Sequence, residues 1–240
     1  MPHASRSSAP TRASHGSVLD DLGLRIADGV LAPGTVLTLA GLEEEYGVSR
    51  TVIREAVRVL EAKGMIESRR RIGVTITPMS RWSVLDPVLI RWRLSGSTRP
   101  QQIVALTELR LAIEPVAARL AAQRASELER AEIGRLAGLL KQLGDAGKGD
   151  SEEYLSADIA FHDRILEAGG NLMLTAIKQP IAEVITGRHN AGLTPAHPLH
   201  GALHNHVEAA TAIVRGDADG AERHVRGYVE TILAEVRAEQ

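Results

Sequence analysis

Cysteine, aromatic side chains and long apolar runs are scarce or absent in this chain of 240 residues. The absence of cysteine excludes disulfide bonds and thiol catalysis. Aromatic residues make up 2%, so a core has to be built from aliphatic side chains. No apolar run approaches the roughly 18 residues of a membrane-spanning helix. A formal net charge of −2 argues against a chain that binds nucleic acid through an overall basic surface.

The start of the chain has no apolar segment. Residues 1–16 are rich in Ser, Ala and Arg, which is typical of a disordered tail and not of a secretory signal peptide. The composition therefore predicts a cytoplasmic protein that has no membrane partner. A chain of this length can hold one small and one medium domain.

The stretch Gly47–Arg58 has the pattern of a helix that lies in a DNA groove. One helical face is apolar, and the other carries Arg50, Thr51, Arg54 and Arg58. Guanidinium groups bind phosphate or guanine, and the free amides of a first helical turn attract phosphate. The same charges also fit an ordinary solvated face, so the neighbouring sequence has to decide.

The neighbouring sequence predicts a winged helix-turn-helix. An amphipathic helix is expected over residues 18–30, and Thr38 caps a second, short helix that Gly47 ends. Residues 65–68 and 74–77 predict a β-hairpin with a basic tip, which is a wing. Residues 47–80 carry seven Lys and Arg against three Asp and Glu, as a local DNA-binding surface requires.

Residues 18–78 resemble the DNA-binding domain of GntR-family transcription regulators. The resemblance rests on the Pro33-Gly34 turn, on Val-Ser-Arg-Thr-x-x-Arg-Glu-Ala from Val48, on Leu60-Glu61-x-x-Gly64-Met65-Ile66 and on Gly73 in the wing. It implies a domain over residues 17–79 that binds a double-stranded DNA operator. The implied contacts are Ser49, Arg50, Thr51, Val52, Arg54, Arg70, Arg71 and Gly73.

One segment departs from the family pattern. Many members open the second helix with Ser/Ala-Glu-Arg, whose arginine touches DNA, whereas this chain has Thr38-Leu39-Ala40. The contact is therefore either missing or supplied by Arg69–Arg71.

From residue 81 onward the sequence predicts helices only. Ala and Leu dominate, and Gly and Pro divide the chain into helix-length pieces. We expect a linker over residues 80–98 with a helix at 86–95, and a domain over residues 99–240 that is an antiparallel bundle of six or seven helices. Its helices are expected at 100–124, 126–144, 150–168, 171–188, 199–215 and 218–238. Pro115 and Pro180 should bend their helices. The fold class is mainly α, with the small hairpin of the wing.

The bundle resembles the effector-binding FCD domain of the FadR subgroup of GntR regulators. The matching runs are Glu108-Leu109-Arg110-x-x-x-Glu114-Pro115, Asp158-x-x-Phe161-His162, Gly170-Asn171 and Gly216-Asp217. The resemblance implies a homodimer that responds to a small carboxylic acid. Trp82, the Leu85-Asp86-Pro87-x-Leu89 run and Trp92 resemble the corresponding residues of regulators of sugar acids such as galactonate or gluconate, but the two aromatic rings could equally pack between the two domains.

Asp158 and His162 are four residues apart, so both project from one helical face, as two ligands of one metal ion do. This spacing is also common in plain hydrogen-bonded pairs. In metal-binding members of the family, a third ligand matches His206, and a fourth histidine matches Tyr228 here. His224, one turn earlier, or else a water or the effector, could complete the shell. The sequence leaves open whether the site holds Zn²⁺, Ni²⁺ or no metal.

An acidic effector needs a cationic partner, and Arg110 lies in the motif that lines the cavity of the relatives. Its alternative role is an ion pair with Glu114 one turn later. Asp158, His162, Asn171 and His206 are the expected partners of effector hydroxyl groups.

These patterns predict a transcription regulator, a repressor that a sugar acid releases from its operator. An alternative effector is a short 2-hydroxy acid such as lactate. A remote alternative is a metal-dependent enzyme built on the Asp158 site, but no motif identifies its general base.

Overall fold

A computed structural model describes residues 15–69 and 72–238 of the chain. The chain divides into two compact units, Met1–Trp92 and Arg93–Gln240. The first unit contains α1 (His15–Ala27), β1 (Val36–Leu37), α2 (Leu39–Tyr46), α3 (Arg50–Ala62), β2 (Ile66–Arg69), β3 (Gly73–Ile76) and a 3₁₀ helix (Met79–Arg81). The division between the units falls within α4 (Pro87–Ser95).

The helix-turn-helix has the predicted start and stop signals. The Thr38 Oγ1 atom accepts a hydrogen bond from the Gly41 N–H at 3.0 Å, and Gly47 ends α2 at φ 62°. Helix α3 buries Ile53, Ala56, Val57 and Leu60, all of which the apolar periodicity placed in the core. The predicted helix-turn-helix is therefore confirmed.

The wing belongs to a sheet of three strands in the order β1-β3-β2, with both pairs antiparallel. The predicted hairpin corresponds to β2 and β3, in which Ile66 faces Ile76 and Arg69 faces Gly73. Strand β1 was not predicted, because two residues are too few to show an alternating pattern.

Both tryptophans pack within the first unit. The Trp92 Nε1 atom donates to Asp20 Oδ1 at 3.1 Å, and Trp82 Nε1 donates to the Thr77 carbonyl at 3.1 Å. Trp92 lies in the same apolar core as Leu22, Ile53 and Leu60. These contacts explain the two rings without any part played by an effector.

The second unit is a helical bundle, and its elements are α5 (Arg99–Arg124), α6 (Glu127–Asp145), α7 (Glu152–Ala168), α8 (Leu172–Thr175), α9 (Lys178–Asn190), α10 (His200–Arg215) and α11 (Ala218–Ala238). Helix α5 packs against α7, α9, α10 and α11. Small residues such as Ala117, Ala118 and Ala121 let these helices approach, and all three are fully buried. The mainly α fold with a small wing is therefore confirmed.

The helix predicted over residues 171–188 is wrong, because the chain forms the short α8 and then α9. Pro180 is the third residue of α9, where the missing N–H would have had no acceptor in the helix. The proline therefore lies in the first turn of a helix and does not interrupt one. Helix α5 runs through Pro115 without a break.

Across residues 15–69 and 72–238, no helix has both the length and the hydropathy that crossing a membrane would take.

We expect Gly23→Ala to destabilise the first unit. A Cβ atom at Gly23 would lie 2.5 Å from the Trp92 ring, which is itself buried. Overpacking of this kind lowers the free energy of unfolding by about 1–3 kcal/mol. The matched control is Gly138→Ala on α6, which has open space around it and should be neutral or stabilising by up to about 1 kcal/mol. Urea unfolding measures both, and a fully stable Gly23→Ala chain would contradict the packing of Trp92 on α1.

Candidate functional sites

A groove of about 770 Å³ runs between α3 and the wing in the first unit. It is lined by Thr38, Leu39, Ala40, Arg50, Arg54, Val57, Arg58, Glu61, Ser68, Arg69, Ile72, Gly73 and Val74. Four arginines face one glutamate in this lining, so the groove suits a polyanion.

The arginines of the groove differ in how firmly they are held. Arg58 Nη1 is 2.6 Å from Glu55 Oε1, and Arg50 Nε is 3.7 Å from Glu43 Oε1. Arg54 is exposed and has no ion-pair partner within residues 15–69 and 72–238. Arg54 can therefore bind a phosphate or a base without first giving up a carboxylate.

Most residues predicted to touch DNA lie in or beside this groove. Arg50, Arg54 and Gly73 line it, Ser49 is the N-cap residue of α3, and Thr51 is exposed in the first turn. Val52 is half-buried and packs against the core. The predictions for Arg70 and Arg71 lie outside the described residues.

Arg58 was not among the predicted contacts, although it lines the groove together with Arg69, which the sequence offered as one substitute for the missing arginine of the second helix. Arg58 follows Arg54 by four residues on one helix face, a spacing that was available in the sequence. Thr38-Leu39-Ala40 contributes no charge to its side of the groove, whereas Arg69 contributes one from the wing.

Gly73 is needed by the sheet itself. Its φ is 121°, and an added Cβ would lie 2.4 Å from the Leu37 carbonyl oxygen. A side chain at this position would push β1 away from β3, so the lack of a side chain at Gly73 serves the approach of the neighbouring strand.

In the second unit, six polar residues from four helices meet in the interior. Arg110 and Glu114 come from α5, Asp158 and His162 from α7, His206 from α10 and Tyr228 from α11. We call this set the polar cluster. All are buried except Asp158, whose side chain is 18% exposed.

Glu114 is the centre of the polar cluster. Its carboxylate accepts hydrogen bonds from Arg110 Nε at 2.6 Å and from the Tyr228 hydroxyl at 3.0 Å, and it lies 2.9 Å from His162 Nδ1. Burial alone would raise the pKa of Glu114, but Arg110 and His162 outweigh it and hold the pKa well below its usual range. Arg110 is therefore paired with Glu114, as its alternative role required.

The His162 ring lies between charged groups. Its Nε2 atom is 3.3 Å from Asp158 Oδ1 and 3.1 Å from Arg110 Nη2. Burial disfavours the imidazolium, but the Glu114 carboxylate, supported by Asp158, outweighs it and raises the pKa of His162 to about 9. Nε2 accepts from Arg110 only when it is deprotonated, and that is also the state that binds a metal.

Asp158, His162 and His206 form the one group within residues 15–69 and 72–238 that could hold a metal ion through three side chains. Their ligand atoms lie within 4.8 Å of one another. Asp158 Oδ1 lies 3.6 Å from His206 Nε2 and 3.3 Å from His162 Nε2, and neither Asp158 Oδ1 nor His206 Nε2 makes a well-formed hydrogen bond among the described residues. His206 Nδ1 lies 2.8 Å from the Ala202 carbonyl oxygen. Because this oxygen can only accept, Nδ1 carries the proton of the neutral ring, and Nε2 presents a lone pair. Two buried acceptors that face each other fit a cation or a donor between them.

The structure does not bring His224 to these three residues. Its Nδ1 atom lies 2.9 Å from Asn205 Oδ1 on the neighbouring helix α10. Tyr228 stacks on His206 with ring centroids 4.1 Å apart, but its hydroxyl donates to Glu114. Neither residue therefore supplies a fourth ligand in this arrangement.

Asn171 has a structural role that the sequence reasoning missed. Its Oδ1 atom accepts a hydrogen bond from the Met173 N–H at 3.0 Å and caps α8. It does not line the cavity beside the polar cluster.

That cavity measures about 50 Å³ and opens beside Asp158 and His206. The rest of its lining is Tyr154, Ile185, Arg188, Thr194, Pro195, Pro198, Leu199, Ala202, Ile232 and Glu235. It has room for a few waters, since each occupies roughly 10–15 Å³ on this measure. A larger ligand would have to move the segment 191–199 that covers it.

A winged helix-turn-helix with an arginine-lined groove, followed by a helical domain with a buried polar site, defines a DNA-binding transcription regulator that responds to an effector. Residues 15–76 match the family described as bacterial regulatory proteins, gntR family, and residues 105–231 match the FCD domain. The chain belongs to the GntR family and carries an FCD domain.

Relatives support the same assignment. YieP, an uncharacterised HTH-type transcriptional regulator of Escherichia coli (strain K12), is 30% identical over 92% of this chain and 94% of its own length. The galactonate operon transcriptional repressor of the same strain is 35% identical over 68% of this chain and 70% of its own. These relatives and domains are regulators, so the remote alternative of a metal-dependent enzyme has no support among them.

A solved structure shares the fold. Lar, described as controlling the expression of the Listeria monocytogenes agr system, has a TM-score of 0.66 at 16% identity over 97% of this chain and 100% of that one.

We expect Arg110→Ala to destabilise the second unit. The substitution leaves Glu114 buried without its main counter-charge, and breaking a buried pair in this way lowers the free energy of unfolding by about 3–5 kcal/mol. Arg119→Ala on the same helix is the control, because Arg119 forms only exposed ion pairs with Asp219 and Glu222 and should contribute less than about 1 kcal/mol. Chemical unfolding measures both, and equal losses would contradict the central role of the Arg110–Glu114 pair.

Proposed function

We propose that the protein is a homodimeric repressor that releases its operator when a sugar acid binds in the FCD domain. The observation that carries this proposal is the pair of buried acceptors, Asp158 Oδ1 and His206 Nε2, beside the cavity. The relative that represses the galactonate operon supports the choice of a sugar acid.

The chemistry of the cavity favours a ligand with several hydroxyl groups. Hydroxyl protons can satisfy Asp158 Oδ1 and His206 Nε2, and a ligand that lacked them would leave both atoms unpaired. The charged side chains of Asp158, Arg188 and Glu235 in the lining oppose a long acyl chain. The small volume of about 50 Å³ is the observation that favours a short 2-hydroxy acid such as lactate as a second candidate.

As an alternative to direct contact with the hydroxyl protons, Asp158, His162 and His206 are the residues that would hold a divalent cation, either Zn²⁺ or Ni²⁺. A bound cation would supply positive charge for the hydroxyl and carboxylate oxygens of the effector. The remaining coordination position belongs, in this proposal, to a water or to the effector.

On DNA, we propose that the first turns of α3 enter the major groove and that the wing follows the adjacent backbone. Ser49, Arg50, Thr51, Val52 and Arg54 contact the operator from α3, and Gly73 from the wing, joined by Arg58 and Arg69. Two copies then read two half-sites about one helical turn apart. The effector has to bind the DNA-free arrangement more tightly by about 1–3 kcal/mol or more.

Arg54→Ala should weaken operator binding by about 1–3 kcal/mol, because it removes an exposed guanidinium that has no competing carboxylate in the part of the chain that the structure describes. Arg135→Ala on α6, an exposed arginine outside the groove, is the control and should leave affinity unchanged. Fluorescence anisotropy with an operator duplex selected by the protein from a random DNA library measures both at one salt concentration. Full affinity in Arg54→Ala would contradict the placement of α3 in the groove.

Thermal unfolding with ligands should identify the effector class. We expect D-galactonate or D-gluconate to raise the melting temperature more than lactate does, because their hydroxyls reach both buried acceptors. If a metal takes part, EDTA removes this stabilisation, and Zn²⁺ or Ni²⁺ restores it. Stabilisation by lactate alone would select the second candidate, and no response to any of the three acids would contradict the proposed effector class.

A further inference from the structure

The polar cluster leaves the carboxylate of an effector without an obvious partner. Arg110 already donates to both oxygens of Glu114, at 2.6 and 3.4 Å, and both side chains are 2% exposed. An effector that took Arg110 would leave Glu114 charged and buried. That exchange is strongly unfavourable, because the displaced carboxylate cannot reach water.

A second arginine lies at the cavity in a different setting. Arg188, in the last turn of α9, lines the cavity together with Asp158 and His206. Its Nη2 atom donates to Glu235 Oε2 at 3.2 Å and to the Leu193 carbonyl at 3.1 Å. The Arg188 side chain is 11% exposed, whereas that of Glu235 is 31% exposed.

We propose that Arg188, and not Arg110, binds the carboxylate of the effector, and that Glu235 occupies this position when no effector is bound. The inference rests on the proposed function, since it concerns the same cavity. It assigns the two ends of the ligand to separate groups: Arg188 binds the carboxylate, and Asp158 and His206 bind the hydroxyl end.

The exchange is favourable in the case of Glu235 for a geometric reason. A carboxylate that is nearly one-third exposed can turn into solvent and be hydrated when a ligand replaces it on Arg188. The incoming carboxylate gains a guanidinium that is largely shielded from water, where a charge-assisted hydrogen bond is stronger.

The same exchange acts on the segment that covers the cavity. Leu193, whose carbonyl accepts from Arg188, lies in the stretch 191–199, and Thr194, Pro195, Pro198 and Leu199 of that stretch line the cavity. A ligand that reorients Arg188 removes one of the hydrogen bonds that hold this cover. Carboxylate binding and opening of the cavity are therefore coupled through one side chain.

The experiment titrates acetate and D-galactonate into the full chain by calorimetry. Acetate tests the carboxylate position alone, because it has no hydroxyl group. The variants are Arg188→Gln, Arg188→Lys and Glu235→Gln, with Glu230→Gln as the matched control, since Glu230 is exposed on the same helix and does not line the cavity. Circular dichroism and operator binding without ligand verify that each variant is folded.

We expect Arg188→Gln to weaken acetate binding by about tenfold or more, and Arg188→Lys to retain part of the affinity. Glu235→Gln should tighten binding by several-fold, because the resident carboxylate is gone, and Glu230→Gln should change nothing. If Arg188→Gln fails to fold, tighter acetate binding by Glu235→Gln supports the assignment of Arg188, and unchanged acetate binding by Glu235→Gln overturns it.

Unchanged acetate affinity in a folded Arg188→Gln chain would overturn the assignment, as would the absence of acetate binding in Glu235→Gln. If acetate binds through Arg188 but D-galactonate does not bind at all, the carboxylate position stands, and the sugar acid of the proposed function is wrong.

Discussion

The arrangement of the second unit depends on one buried carboxylate, that of Glu114. Placing a charge in the interior of a helical bundle is unfavourable unless neighbouring groups compensate it, and here Arg110, His162 and Tyr228 do so from three helices. Since each partner comes from a fixed position on its helix, this network sets how α5, α7 and α11 face one another. It also orients the His162 ring, whose Nε2 atom then points toward Asp158.

The polar cluster contains charged groups that pair with each other in the interior and other polar groups that lie beside the cavity, where a ligand can reach them. Arg110 and Glu114 neutralise each other out of contact with solvent, whereas Asp158 Oδ1 and His206 Nε2 lie next to the cavity without a hydrogen-bond partner. A similar division exists in the first unit, where Arg58 is tied to Glu55 and Arg54 is exposed in the groove. In both units, the groups best placed to bind a partner are those that lie at a groove or a cavity.

Much of the fold could be predicted from local sequence. The apolar spacing of α3, the Thr38 cap, the Gly47 stop and the helices of the bundle are set by neighbouring residues, and all are present except the single helix predicted over residues 171–188, which is divided into α8 and α9. Predictions that depended on distant contacts fared less well. Strand β1 exists because β3 pairs with it. Asn171 was predicted to bind the effector, but it caps the short helix α8 and does not line the cavity. The pairing of His224 with Asn205 likewise depends on how α11 lies against α10.

By itself, the sequence determined the family, the two-domain order and the residue types of both sites, because motifs and helical periodicity are local properties of the chain. The tertiary structure decided which of the candidate residues lie at a groove or a cavity. Arg110 and Arg188 are the same kind of side chain, and the motif around Arg110 favoured that residue, but local sequence reveals neither the burial of Arg110 nor the pairing of Arg188 with Glu235. Only packing buries one pair beyond the reach of water and leaves the other at the edge of a cavity, since burial and the distance to a distant carboxylate arise when the helices come together.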